Sequence, residues 1–311
     1  MRFSHLLLSC VLCVALTGEA RADESLQRLV NRLMRERAGA VIVSNPRTGE
    51  ILAEWNREVA FKRAFPPGST AKLVTCAVAL EEGVVSPTDR IYCRRIPELL
   101  GKGYHCTHPP ALEAFTLYSA LANSCNYFFA ALSARLRAET LQHGYILFGF
   151  GAAGSVKIPD DPAAKARAAL GESPVLVTPA QLLQAYSAVA TRGTVYRLWR
   201  RSNPIQAPSV ERTIKLRPAT WNTIADGLGE CVRAGMGQAA AVKGARVAGK
   251  TGTANTRNGS KFTHAWFAGF GPKESAEIAL VVFLERGTGA RDAAPLAGRI
   301  LREYFQSKDR E

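Results

Sequence analysis

The chain has 311 residues, 47% of them hydrophobic, which is enough to bury one large core or two small ones without staples. Its formal charge of +14 favours anionic surroundings, but the basic residues are scattered, as in Arg32, Arg35, Arg37, Arg192, Arg197, Arg200 and Arg201. No zinc-finger, helix-turn-helix or aromatic–basic RNA motif accompanies them, so nucleic acid is not an expected partner.

Residues 1–22 differ from the rest. Arg2 precedes a short apolar run, Leu6 to Leu16, and Ala20-Arg21-Ala22 fits a small-x-small cleavage site. The run is too short to span a bilayer comfortably, so a cleaved signal peptide is expected over a permanent anchor. Lipid attachment at Cys10 is a weaker alternative, because only nine residues precede it. Cleavage after Ala22 removes Arg2, Arg21 and Glu19 and leaves a charge of +13. No later segment reads as membrane-spanning. The expected product is exported, periplasmic or otherwise extracytoplasmic, and soluble.

The spacing of Leu26, Leu29 and Leu33 predicts a helix over 23–37. Short apolar runs at 38–43 and 51–55 flank Asn45-Pro46-Arg47-Thr48-Gly49, a hairpin signal. Pro66-Pro67-Gly68 then breaks the chain before an apolar helix from Ser69 to about Glu82. Residues 76–234 are mainly helical in pattern, most clearly at 117–138 and 179–192. Thr178-Pro179 supplies an N-cap and a first-position proline for the second of these. Strand patterns return at 246–254, 263–270 and 278–285, and a last helix covers 293–305. These elements predict a mixed α/β (α+β) fold, with one antiparallel sheet assembled from both chain ends, flanking helices and a mainly helical insertion. The expected sheet subdomain is 23–75 plus 235–311, and the helical subdomain is 76–234.

Seven cysteines become five when Cys10 and Cys13 leave with the leader. Cys93 and Cys106 flank a short loop containing Gly101 and Gly103, which suits a disulfide in an oxidising compartment. A metal site is the rival, because Cys93, His105, Cys106 and His108 lie close together. The irregular Cys-x12-Cys spacing is unlike the paired spacings of zinc sites, so no metal is expected. Cys76, Cys125 and Cys231 remain, which requires at least one free thiol.

Three short motifs carry chemistry. Ser69 and Lys72 stand three apart, on one face of any helix that starts at Ser69. A serine hydroxyl needs a base, and a lysine can be one only when burial or positive neighbours depress its pKa. Alone, this pair is equally an N-capped surface helix with an outward lysine. Ser124-Cys125-Asn126 interrupts an apolar helical stretch and either caps a helix or faces a site. Lys250-Thr251-Gly252-Thr253 lies in a strand-like run whose glycines permit close backbone approach, although Lys-Thr-Gly is also a common turn.

In this order, Ser-x-x-Lys, Ser-x-Asn and Lys-Thr-Gly resemble the motif set of the penicillin-recognising serine enzymes. The chain is similar to the transpeptidase domain of class B penicillin-binding proteins over about residues 38–305. Flanking segments match too: Val247 to Asn255, His264 to Phe270, Val177 to Leu182 with Ala185-Tyr186, and Tyr92 to His108.

The resemblance implies a β-lactamase/transpeptidase-like fold without a cofactor. It also implies a D-Ala-D-Ala stem peptide of peptidoglycan as substrate and β-lactams as inhibitors. It casts Ser69 as nucleophile, Lys72 as base, Ser124 as proton relay and Asn126 as the group that positions lysine and substrate. Lys250 would polarise Ser124 and, with Thr251, Gly252 and Thr253, bind the carboxylate. The backbone N–H groups of Ser69 and Thr253 would form the oxyanion hole.

Departures from the family pattern stand out. Gly171-Glu172-Ser173 occupies the place of the family's Gly-Gln-Gly, and Cys125 sits between two motif residues. About 15 residues stand between the leader and the first strand, where the family carries a long pedestal. A membrane-anchored cell-wall partner would then supply localisation, or the enzyme would act freely. D,D-transpeptidase and D,D-carboxypeptidase activity share one acyl-enzyme and stay open here. A class D-like β-lactamase is the nearest alternative, but that class has Ser-x-Val at its second motif where this chain has Asn126. A non-catalytic sensor or scaffold of the wall is the alternative from another class.

Overall fold

A computed structural model describes residues 24–110, 113–151, 156–201, 207–256 and 261–308. The expected leader, 1–22, lies outside them. The framework is a six-stranded sheet built from β1 (Gly39–Ser44), β2 (Glu50–Trp55), β4 (Trp199–Arg200), β6 (Ala248–Asn255), β7 (Thr263–Gly271) and β8 (Ile278–Leu284), in the order β4-β2-β1-β8-β7-β6. Neighbours are antiparallel except β4, which runs parallel to β2 at the edge. The sheet thus joins both ends of the chain, as the pattern of apolar runs predicts. The two-residue β4 was not legible beforehand, because Trp199-Arg200 sits in a basic stretch with no alternation.

The central strands are buried on both faces and therefore read as unbroken apolar runs. Alternate residues nevertheless divide between two cores. Val41, Val43, Leu280 and Val282 face α1 (residues 24–34) and α10 (Ala294–Lys308), while Ala40, Ile42, Val281 and Phe283 face the helical side. The apolar stripe Leu26, Leu29, Val30, Leu33 of α1 is consumed by the first core. Against the other face lies α8 (Pro179–Ala190), which packs on β1, β7 and β8. Its start is a capping box: Gln181 N donates to Thr178 Oγ1 (3.2 Å), and Thr178 N donates to Gln181 Oε1 (2.9 Å).

A short α2 (Arg57–Lys62) follows β2, and the helical region comprises α3 (Lys72–Glu81), α4 (Leu117–Ala122), α5 (Asn126–Ala134), α6 (Ala138–Leu147), α7 (Pro162–Ala169) and α9 (Pro218–Ala234). The single helix expected over 117–138 is broken twice. At the first break Asn123 Nδ2 donates back to Ser119 O (3.0 Å), Ser124 takes φ 58°, and Cys125 becomes the N-cap of α5. Short polar side chains that bond their own backbone compete with helix continuation, and Asn123 does so here just before the left-handed Ser124. A small β3–β5 ribbon (Thr194–Tyr196 and Val210–Thr213) adds strand within the region expected to be helical.

The turn before α3 is held from three sides. Trp266, fully buried on β7, donates Nε1–H to Pro66 O (3.0 Å) and packs on Phe283 with ring centroids 4.3 Å apart. Phe65 pairs with Val177 through two backbone hydrogen bonds of 3.0 Å. Gly68 N donates to Gly171 O (2.9 Å), and Gly171 takes φ +76°, where a Cβ would stand 2.1 Å from Gly68 O. Only glycine allows that approach. Trp266→Phe keeps most of the ring but strands the buried Pro66 carbonyl. It should lower the unfolding free energy by about 1–3 kcal/mol, read as a lower midpoint in urea at unchanged slope.

Candidate active site

Beneath the Pro66-Pro67-Gly68 turn the chain makes a short 3-10 segment, Gly68–Ala71, that runs straight into α3. In a 3-10 turn residues three apart eclipse one another, which puts Ser69 and Lys72 on one side. Ser69 is half-buried at the wall of a cleft of about 490 Å³, whereas Lys72 is fully buried beneath it. Lys72 Nζ donates to Asn126 Oδ1 (2.6 Å), to Ser124 O (2.9 Å) and to Ser124 Oγ (3.3 Å). The outward-lysine alternative is therefore excluded. The left-handed backbone at Ser124 is what turns both its carbonyl and its hydroxyl toward the amine, so the break between α4 and α5 is part of the site.

Burial penalises the charged form of Lys72, and the second buried ammonium, Lys250, adds repulsion. Together they push its pKa down to about 7 from 10.5. Lys250 lies on β6, is also fully buried, donates to Thr251 O (3.2 Å), and has its own pKa lowered chiefly by burial. Thr251 and Thr253 line the cleft from the same strand. Gly252 sits between them in close contact with the turn, since a Cβ there would stand 2.7 Å from Pro67 O and 2.9 Å from Thr70 Cγ2. Thr253 Oγ1 accepts from Gly289 N (3.0 Å), which ties the strand end to the start of the π-turn before α10. The three motifs thus meet at one cleft with Ser69, Ser124, Asn126, Thr251 and Thr253 on its walls and two lysines under its floor.

Other residues complete the cleft. Glu172 is 8% exposed and accepts from Asn255 N through both carboxyl oxygens (3.3 and 3.4 Å). Burial raises its pKa to about 7 despite that hydrogen bond and the opposing charge of Lys72. Tyr104 lines the cleft, and its backbone carbonyl accepts from Asn126 Nδ2 (3.1 Å). Asn126 therefore clamps Lys72 with its oxygen and the 93–106 loop with its nitrogen. Arg291, on the π-turn, supplies a cation to the wall. Glu172 was visible in the sequence as a departure from the family pattern. Tyr104 and Asn255 lie in segments that match the family but carry no sign of a place in the cleft, and Arg291 reaches it from the π-turn with no local signal.

One expectation is corrected. The sulfurs of Cys93 and Cys106 stand 3.6 Å apart and both residues are free thiols, so the disulfide is not formed. A disulfide needs about 2.05 Å. A third sulfur, Cys125, lies 3.8 Å from Cys106, so Cys106 is shared between two neighbours instead of paired with one.

The sequence matches the family model described as Penicillin binding protein transpeptidase domain over residues 39–306. It is 29% identical to Stage V sporulation protein D of Bacillus subtilis, covering 84% of this chain and 48% of that protein. It is 26% identical to the peptidoglycan D,D-transpeptidase PbpA of Mycobacterium tuberculosis, covering 87% of this chain and 67% of that protein. The chain thus spans about half the length of the first of these relatives. In fold it is similar to the D,D-transpeptidase domain of a peptidoglycan glycosyltransferase from Eggerthella lenta. The TM-score is 0.80 at 24% identity, covering 92% of this chain and 82% of the other.

Lys250 should hold the pKa of Lys72 down. In Lys250→Met the pKa of Lys72 is expected to rise from about 7 yet stay below 10.5, because burial, the larger cause, persists. An NMR pH titration of labelled lysine side chains reads this directly; an unmoved value would remove Lys250 from the electrostatics of the site.

Proposed function

The chain belongs to the penicillin binding protein transpeptidase domain family, and from that premise we propose that it is a serine D,D-transpeptidase acting on peptidoglycan stem peptides. The observation that carries this reading is the state of Lys72: a fully buried amine whose pKa is pushed down to about 7, bonded to Ser124 and Asn126 and one 3-10 turn from Ser69. Ser69 Oγ attacks the carbonyl of the penultimate D-Ala, and its proton passes to neutral Lys72. The oxyanion forms against the backbone N–H groups of Ser69 and Thr253, a contribution of about 3 kcal/mol for each donor. Collapse breaks the peptide bond, and Ser124 returns the proton to the departing D-Ala amine. An acceptor amine then displaces Ser69 by the same steps in reverse. Thr251 and Thr253 hold the substrate carboxylate, and the positive field of Lys250 favours it. A β-lactam enters through the same acylation.

Glu172 favours a second outcome of the same acyl-enzyme. A buried carboxyl titrating near neutrality on the cleft wall is suited to take a proton from water, which would hydrolyse the acyl-Ser69 as a carboxypeptidase or a β-lactamase does. The setting is extracytoplasmic on this reading; the apolar run 6–16 and Ala20-Arg21-Ala22 support that placement.

Labelled penicillin should modify one peptide, the one containing Ser69, and Ser69→Ala should take up none. Undiminished labelling of the variant would end the assignment. An adduct that persists for hours marks the transpeptidase, whereas loss within seconds marks a lactamase, and in that case Glu172→Gln should prolong it. The acylation rate should rise with pH and level off above about 7, because Lys72 accepts a proton only when neutral. Glu172 titrates in the same range, so the profile is repeated in Glu172→Gln, where the rise is expected to remain.

A further inference from the structure

Beside the cleft, but outside the three motifs, four metal-ligating atoms converge. Cys93, Cys106, His108 and Cys125 place their Sγ and Nε2 atoms within 4.8 Å of one another. Three of the six separations are 3.6 Å between Cys93 and Cys106, 3.8 Å between Cys106 and Cys125, and 3.6 Å between Cys93 Sγ and His108 Nε2. Ligands about 2.3 Å from a tetrahedral zinc lie about 3.8 Å from each other, the spacing seen here. Cys106 and Cys125 have no exposed surface and His108 has 2%. Four protein donors leave no open coordination position, which is the arrangement of a structural site.

The surroundings are those of a metal centre. His108 Nδ1 stands 2.7 Å from Pro109 O, which assigns the ring proton to Nδ1 and turns the Nε2 lone pair toward the sulfurs. Arg95 N donates to Cys93 Sγ and Tyr127 N to Cys106 Sγ, each at 3.3 Å. Such N–H donors aimed at sulfur stabilise thiolate. The Arg95 guanidinium clips the loop by donating to Cys106 O (2.7 Å) and His108 O (2.9 Å). The Phe115 ring covers His108 at 4.7 Å, and the Ile91–Phe115 backbone pair closes the base of the loop. The irregular sequence spacing, which spoke against a metal, is explained by the three segments that supply the ligands: the loop base, the loop end and the α4–α5 break.

We propose that Cys93, Cys106, His108 and Cys125 bind one zinc ion in a closed tetrahedral Cys3His site. Binding releases three thiol protons to solvent, retains the proton on His108 Nδ1, and leaves a centre of net charge −1. Because Cys125 separates Ser124 from Asn126, the ion fixes the turn that delivers both to Lys72. It also anchors the loop whose Tyr104 carbonyl meets Asn126. Metal occupancy is independent of whether Ser69 is acylated.

The test uses the full chain purified without chelator from zinc-supplemented culture. Elemental analysis should find about one zinc per chain, the same in Ser69→Ala and in Cys231→Ser, and a mercurial thiol reagent should release it. Cobalt loaded in its place should show thiolate-to-metal charge-transfer absorption. Cys106→Ser and, separately, His108→Ala should each lose the metal, while acylation by labelled penicillin slows. His108→Ala removes one ligand without disturbing the sulfurs, so it serves if Cys106→Ser fails to fold. The proposal is overturned if reduced wild-type chain supplied with zinc retains less than about a tenth of an equivalent. A disulfide between two of the three cysteines in the chain as purified, or unchanged zinc in both variants, overturns it equally.

Discussion

The burial of Lys72 is the constraint on which the rest of the site depends. An ammonium removed from water must either find acceptors or give up its proton, and this one does some of each. Its acceptors, Ser124 O, Ser124 Oγ and Asn126 Oδ1, come from one broken helix more than fifty residues away. Satisfying them requires the left-handed turn at Ser124, and that turn requires α4 to stop at Ala122 and α5 to begin at Asn126. The remaining charge penalty moves the amine toward neutrality, which is the condition for accepting a proton from a serine.

This arrangement weakens the fold where it serves the chemistry. The unfolded chain binds a proton on Lys72 between about 7 and 10.5, where the folded chain does not, so this residue's contribution to stability grows as pH rises across that window. Glu172 behaves oppositely. Its folded pKa lies above 4.5, at about 7, so its contribution is lost as pH rises from 4.5 to about 7. Both penalties are near their largest around pH 7, where the proposed lysine base would act. Strain of this kind at a functional site is offset elsewhere, here by a sheet buried on both faces between two cores.

The sheet also sets the precision of the cleft. β6 carries Lys250, Thr251 and Thr253 at an edge, paired along its length to β7. β7 in turn carries Trp266, whose indole holds the Pro66 carbonyl and thereby the turn before Ser69. Ser69 and the strand carrying Lys250, Thr251 and Thr253 are thus referred to one rigid frame. The second motif belongs to the helical region and reaches Lys72 across the cleft. A metal at Cys125 would give it an anchor that does not rely on the sheet.

Much of this was legible in the chain itself. The strands at both ends, the Thr178 N-cap with Pro179 behind it, and the order of Ser69, Lys72, Ser124, Asn126 and Lys250 are written in patterns that span a pleat, a helical turn or a short motif. Such features are decided by neighbours in sequence, so they survive without tertiary knowledge. Ser124-Cys125-Asn126 was readable as a polar interruption, but not as a break that both starts α5 and lines the site, because the same residues can cap a helix or face a site. The pKa of Lys72, the reach of Tyr104 and Glu172 into the cleft, and the meeting of Cys93, Cys106, His108 and Cys125 were decided only by packing. Local dielectric and the distances between side chains remote in sequence depend on how elements stack. A spacing of twelve residues between two cysteines therefore does not reveal that a third sulfur and an imidazole will stand beside them.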